Sequence, residues 1–283
     1  MRKYVLLLAF VVILIPESCN KTKTFSEEKN NTDLLLSENY SELQESLLAL
    51  NQKMSQSSPE TRSFFRWLLV GISDAVGAAC GYSVGGIGGA IVLGSTASAV
   101  AITEFTPWEN NQGLINGPTA LEEQFDIIIP PGSSHGCHVG GYHNNLLRLV
   151  FQDYGDSLLT MNEESIWDAI SNEYPLLGLE DTLSLSWNNV QIEDFVFDPE
   201  MDVTPEDFIL SLCADYPSIS QELCVLETIL DGLDAIQSDT DALTYTAQAI
   251  QIIENAQIAE DSKSMLICGT SVAFRSRLLW NLP

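Results

Sequence analysis

The 37 residues from Trp67 to Thr103 constrain this chain more than any other stretch. They carry one charge, Asp74, and eight of the chain's 18 glycines: Gly71, Gly77, Gly81, Gly85, Gly86, Gly88, Gly89 and Gly94. Gly77, Gly81, Gly85 and Gly89 recur every fourth residue, which on a helix makes one bare stripe for close helix packing. In water each glycine costs a helix roughly 1 kcal/mol relative to alanine. Eight of them cost on the order of a whole domain's net stability. Such a helix persists only where tight packing or a bilayer compensates. Gly85-Gly86-Ile87-Gly88-Gly89 reads as a bend, so the expectation is a hairpin of two helices, either buried in a soluble bundle or placed in a membrane. Ala90 to Ile102, rich in Val, Ile, Ser and Thr, also admits a β reading.

The tract Trp67 to Thr103 resembles the glycine-zipper segments of bacterial envelope lipoproteins and membrane-inserting proteins. On that resemblance a membrane-active, toxin-like role is an alternative.

Met1-Arg2-Lys3 precedes an unbroken apolar run of 12 residues, Tyr4 to Ile15, and then Pro16-Glu17-Ser18-Cys19-Asn20-Lys21. A spanning helix needs roughly 20 apolar residues, so residues 1–18 read as a secretory signal. The segment resembles the signal of bacterial, Bacteroidetes-type lipoproteins. In that family a small residue, here Ser18, precedes the lipid-bearing cysteine, here Cys19. Pro16 and Glu17 depart from the usual pattern. The resemblance implies a palmitate-bearing lipid anchor on Cys19, the bacterial cell envelope as location, and the outer membrane in particular. Lys21 and Lys23 come before Glu27-Glu28, which is unlike the acidic run of surface-displayed members.

The formal charge is −27, and removal of Arg2, Lys3 and Glu17 with the signal leaves −28. From Trp67 to Ser262 there are 31 acidic residues and one basic residue, Arg148. Nucleic-acid binding needs clustered Lys and Arg to neutralise phosphates, so that class is excluded. An acidic surface keeps a protein soluble, or docks a basic partner or divalent cations.

The remaining chain reads as mainly α. Residues 19–57 form a polar tether ending in a short amphipathic helix. Ser58-Pro59-Glu60 opens the glycine-rich hairpin, 58–104. Prolines 107, 118, 130 and 131 mark a long loop, 105–138, with a short helix near Ala120 to Phe125. Residues 139–283 form an acidic helical bundle, with helices starting near Tyr142, Asn162, Thr204, Ser218 or Ser220, Asp239 and Asp261. Leu183 to Val196 alternates enough for a short strand.

The chain's three histidines fall within nine residues: His135, His138 and His143, with Cys137 among them. Imidazole and thiolate in a glycine-rich segment suit zinc or copper, although the spacing is not a standard one and a fourth ligand must come from elsewhere. A metal-binding protein or metal-dependent enzyme on this cluster is the second alternative, and a core histidine at 143 the plainer reading. Gly140-Gly141-Tyr142-His143-Asn144-Asn145-Leu146-Leu147 resembles a stretch of Bacteroidetes exported proteins without a known catalytic role. Asp198, Glu200 and Asp202 have the spacing of a Ca²⁺ loop start, but Val203 and Ile209 stand where it needs glycine and an acid. Asp156-Ser157-Leu158 and Asp181-Thr182-Leu183 match a short O-glycosylation pattern. Walker, dinucleotide, HExxH and G-x-S-x-G signatures are absent. With Cys19 lipidated, five cysteines remain, an odd number, and Cys213 with Cys224 on neighbouring helices is the pair best placed to bond. The leading expectation is a lipid-anchored envelope protein that acts by protein interaction or as a structural component, without catalytic chemistry.

Overall fold

The computed structural model describes residues 23–55, 65–105, 117–129, 134–179, 192–196 and 204–280. It is a mainly α protein, and no strand occurs among the described residues. Among the described residues nine helices run in order: α1 Lys23–Ser55, α2 Phe65–Phe105, α3 Ala120–Ile128, α4 Val139–Tyr154, α5 Glu163–Glu173, α6 Pro205–Asp215, α7 Ser220–Ala235, α8 Asp239–Asn255 and α9 Glu260–Trp280. Short 3-10 turns join several of them. Residues 1–18, expected to be a secretory signal, and Cys19 lie outside the described residues, as do the Asp198–Asp202 run and Asp181-Thr182-Leu183.

The chain divides into a unit ending at Ser37 and a main unit from Glu38 to Pro283. In the first, residues from Lys23 are helical. In the second, the rest of α1 belongs to the core: Tyr40, Leu43, Leu47 and Leu50 are buried. Their three- and four-residue spacing lines one helical face. The tether expected over 19–57 therefore does not extend through this part. Asn39 donates to the Gln257 carbonyl at 2.6 Å, Asn51 to the Thr228 carbonyl at 2.8 Å, and the Tyr40 hydroxyl to Glu222.

α2 is two helical arms. Gly85 (φ −146°, ψ 16°) and Gly86 (φ 59°, ψ −147°) leave helical geometry and turn the chain back. Gly86 occupies a region that residues with a Cβ avoid. The arms touch through their glycines. A Cβ on Gly81 would lie 2.3 Å from the Gly89 carbonyl oxygen, and one on Gly77 would lie 3.1 Å from both the Leu93 oxygen and the Ala97 Cβ. Of the four-residue stripe, Gly77, Gly81 and Gly89 make the crossing, whereas Gly85 belongs to the bend. Gly94, outside the stripe, extends the crossing: a Cβ there would meet the Asp74 carbonyl oxygen at 3.2 Å. Ala90 to Ile102 is helix, not strand, because the bare facing arm leaves its branched side chains room to pack.

The hairpin and the acidic bundle are not separate layers. α9 packs along α2 more extensively than any other pair of helices meets, and it also touches α4, α7 and α8. From Met265 to Leu279 every residue of α9 is buried. Close approach again rests on glycine: a Cβ on Gly269 would be 3.1 Å from the Ala75 carbonyl oxygen, and one on Gly140 of α4 would be 2.3 Å from that of Ser271. Among the described residues one segment, Val70–Thr103, is long and apolar enough to cross a membrane, and most of it is buried within the protein.

The N-caps follow the sequence. Thr204 accepts from Asp207 N, Asn162 from Ser165 N and Ser238 from Asp241 N, each satisfying a backbone donor the first helical turn leaves open.

Candidate functional site

A helix pair this tight leaves no room for an unsatisfied charge, yet Asp74 is fully buried between the arms of α2, α4 and α9. Its Oδ2 accepts hydrogen bonds from the Ser276 hydroxyl and, at 3.3 Å, from Trp280 Nε1. His143 of α4 is also fully buried, with Nε2 3.7 Å from the same oxygen. Asp74 Oδ1, His143 Nε2 and the Ser98 hydroxyl close no hydrogen bond of normal geometry, although Ser98 is near enough to favour the ionised carboxylate.

The network fixes the histidine tautomer. Asn144 Nδ2 donates to Glu122 Oε1 at 2.6 Å and to the Arg275 carbonyl at 3.0 Å, so its Oδ1 is the acceptor facing His143 Nδ1 at 3.0 Å. Nδ1 therefore carries the imidazole proton, and Nε2 offers a lone pair to Asp74. Two acceptors facing each other repel unless a proton lies between them. Burial pushes the Asp74 carboxyl up to about 8, against the opposing pull of Ser276, Ser98 and Trp280. Burial likewise pulls His143 down to about 4, opposed by Asn144, the Gly94 backbone and the Glu122 charge, with Arg148 adding to the fall. Both shifts favour a protonated carboxyl beside a neutral imidazole at neutral pH, an arrangement without charge separation.

Around this pair the polar seam continues outward. Glu122 closes a capping box on α3, accepting from Thr119 N at 2.7 Å, and binds Arg148 at 2.9 Å. Arg275 pairs with Asp126 and lies over the Phe125 ring, its guanidinium carbon 5.1 Å from the centroid. Arg277, wholly buried, donates to the Leu233 carbonyl at 2.6 Å, to the Gln237 carbonyl at 3.3 Å and to Asp239 at 3.2 Å. Arg275 and Arg277 thereby bond α9 to Asp126 near the end of α3, to the last turn of α7 and to Asp239 at the start of α8.

The histidine–cysteine cluster is dispersed by the local fold. The 3-10 turn His135–His138 runs into α4. Cys137 points inward, its carbonyl accepting from the Ser271 hydroxyl at 2.7 Å. His138 is half-exposed, 3.7 Å from Asp126, whereas His143 faces Asp74 in the interior. The side chain of His135 lies outside the described residues. Among the described residues no group of three His, Cys, Asp or Glu side chains is placed to hold a metal ion. Ser157, of the Asp156-Ser157-Leu158 triplet, is exposed on a 3-10 turn.

Surface clefts accompany this interior. One of about 420 Å³ is lined by Val100, Thr103, Leu159, Met161 and Asn162 among others. Another, of about 380 Å³, lies between Ile128-Ile129 and α8. Neither of these two is lined by Asp74 or His143.

Compared with family models, curated proteins and solved structures, the chain matches none.

Proposed function

We propose that this chain is a lipid-anchored bacterial envelope protein that works by binding another protein, with Cys19 as the lipid-bearing residue. The observation that carries the reading is Ser18-Cys19 behind a 12-residue apolar run and Arg2-Lys3. Two features support it. The other long apolar tract, Val70–Thr103, spends its surface on α9 and on itself, which leaves membrane attachment to the N-terminus. The acidic excess suits a partner with a basic face. The outer membrane is the destination the lipoprotein resemblance implies.

Radiolabelled palmitate is expected to label the wild-type chain in a bacterial host and to leave Cys19→Ala unlabelled. Equal labelling of both removes the lipid anchor and, with it, this reading.

A further inference from the structure

Five cysteines lie among the described residues, and all are free thiols. Cys80, Cys137 and Cys268 are buried. Cys213, in the last turn of α6, and Cys224, near the start of α7, are half-buried, with their sulfurs 3.7 Å apart. Only Tyr216 and the 3-10 turn Pro217–Ile219 separate the two helices. The Cys213 thiol also points at the Ser220 carbonyl at 3.4 Å, so the connection holds it over the first turn of α7. Sulfurs in contact need a shift of under about 2 Å to reach bonding distance.

We propose that Cys213 and Cys224 are a disulfide-forming site that clasps α6 to α7. The chemistry is thiol–disulfide exchange with a low-molecular-weight or protein disulfide as oxidant. The thiolate of one cysteine attacks the oxidant's S–S bond, forming a mixed disulfide and releasing one thiolate. The second cysteine, deprotonated, then attacks the protein sulfur of that mixed disulfide and displaces the other half of the oxidant as thiolate. The two cysteines lose two protons and two electrons, and the oxidant gains two electrons and becomes two thiols. Burial, the neighbouring Cys224 and the Glu227 charge push the Cys213 thiol up to about 12, which slows thiolate formation at Cys213.

Bond formation in the cell rests on the export reading, because cytosolic thiols stay reduced. The capacity to form the bond does not. The full chain, purified in detergent with reductant and then equilibrated with oxidised glutathione at pH 8, is expected to lose two alkylatable thiols after denaturation. Peptide mapping is expected to link Cys213 to Cys224. The oxidised form should melt roughly 5 °C above the reduced form, a difference absent in Cys224→Ser. A linkage through Cys80 instead, or five unlinked thiols after equilibration, overturns the proposal, and mapping of the wild type decides even where a serine variant folds poorly. The same bond found in protein isolated from cells with thiols trapped by alkylation supports both the site and export. A pair that bonds in glutathione but is reduced in the cell supports the site and contradicts export.

Discussion

Gly81→Leu is expected to cost several kcal/mol, enough to leave the chain largely unfolded or to rearrange the hairpin. The hairpin arms meet at this residue. Even a methyl group would sit 2.3 Å from the Gly89 carbonyl oxygen, 2.7 Å from its carbon and 2.9 Å from the Leu93 Cβ. Two of these are backbone atoms, which yield only if the arms separate. Separation would also open the interface on α9. Overpacking a well-filled core costs about 1–3 kcal/mol for added methylenes and more where backbone must move. Alanine gains about 1 kcal/mol of helix propensity over glycine, so Gly81→Ala measures the clash against that gain. It is expected to be destabilising still, by about 1–3 kcal/mol. Gly117→Ala, whose Cβ would meet nothing within 4 Å, is the control and is expected to change the urea midpoint little. A wild-type midpoint in Gly81→Leu would mean the arms do not touch.

The second prediction concerns the buried pair Asp74 and His143. The groups facing the carboxyl are His143 from α4, Ser276 and Trp280 from α9 and Ser98 from the second arm, with Glu122 and Arg148 beyond the imidazole. The folded Asp74 titrates near 8 against 3.8 for the free group. A raised carboxyl contributes stability that is present at low pH and lost as pH rises toward the folded value. His143 titrates near 4 against 6.5, so its contribution is present above 6.5 and lost as pH falls toward 4. Between pH 4 and 6.5 the two slopes oppose and cancel. From pH 6.5 to 8 Asp74 acts alone, and stability is expected to fall by about 1.4 kcal/mol per pH unit, or about 2 kcal/mol across the window. Asp74→Asn mimics the protonated carboxyl: with its carbonyl in the place of Oδ2 it accepts from Ser276 and Trp280. The variant's stability relative to the wild type should rise by about 1.4 kcal/mol per pH unit, or about 2.7 kcal/mol from pH 6 to pH 8. A difference between the two that does not change from pH 6 to 8 would show that Asp74 is ionised throughout.

How much of this was legible in the sequence varies with the range of the interactions. The hairpin was, because glycine spacing is a local signal and Gly85-Gly86 marks its own bend. The helix starts at Asn162 and Thr204 were, for the same reason, whereas the cap expected at Asp239 is Ser238, one residue earlier. A short amphipathic helix was legible at the end of the 19–57 segment, but its extension back to Tyr40 and its place in the core were hidden because Glu, Ser and Asn surround the four well-spaced apolar residues. The centrality of α9 was missed because Thr270, Ser271, Arg275, Ser276 and Arg277 make it look amphipathic at best. Only their partners, spread over α2, α3, α4, α7 and α8, allow them to be buried. The Asp74 site carried one readable signal: a lone charge within 37 apolar residues must find partners elsewhere. Which partners is a matter of tertiary pairing, and Ser276 and Trp280 lie some 200 residues away. The histidine cluster pointed to convergence because the residues are close in sequence. A 3-10 turn entering α4 instead sends neighbouring side chains to opposite sides.

The glycine tract is the core of a folded helical bundle, and the lipid proposed on Cys19 is what would meet the membrane. Flotation with liposomes of mixed zwitterionic and anionic lipids, using a chain that starts at Asn20, tests it most directly. The account predicts that this protein stays in the soluble fraction as a monomer and releases no trapped dye. Co-flotation with the liposomes, or dye release that Gly81→Leu alters, would contradict it.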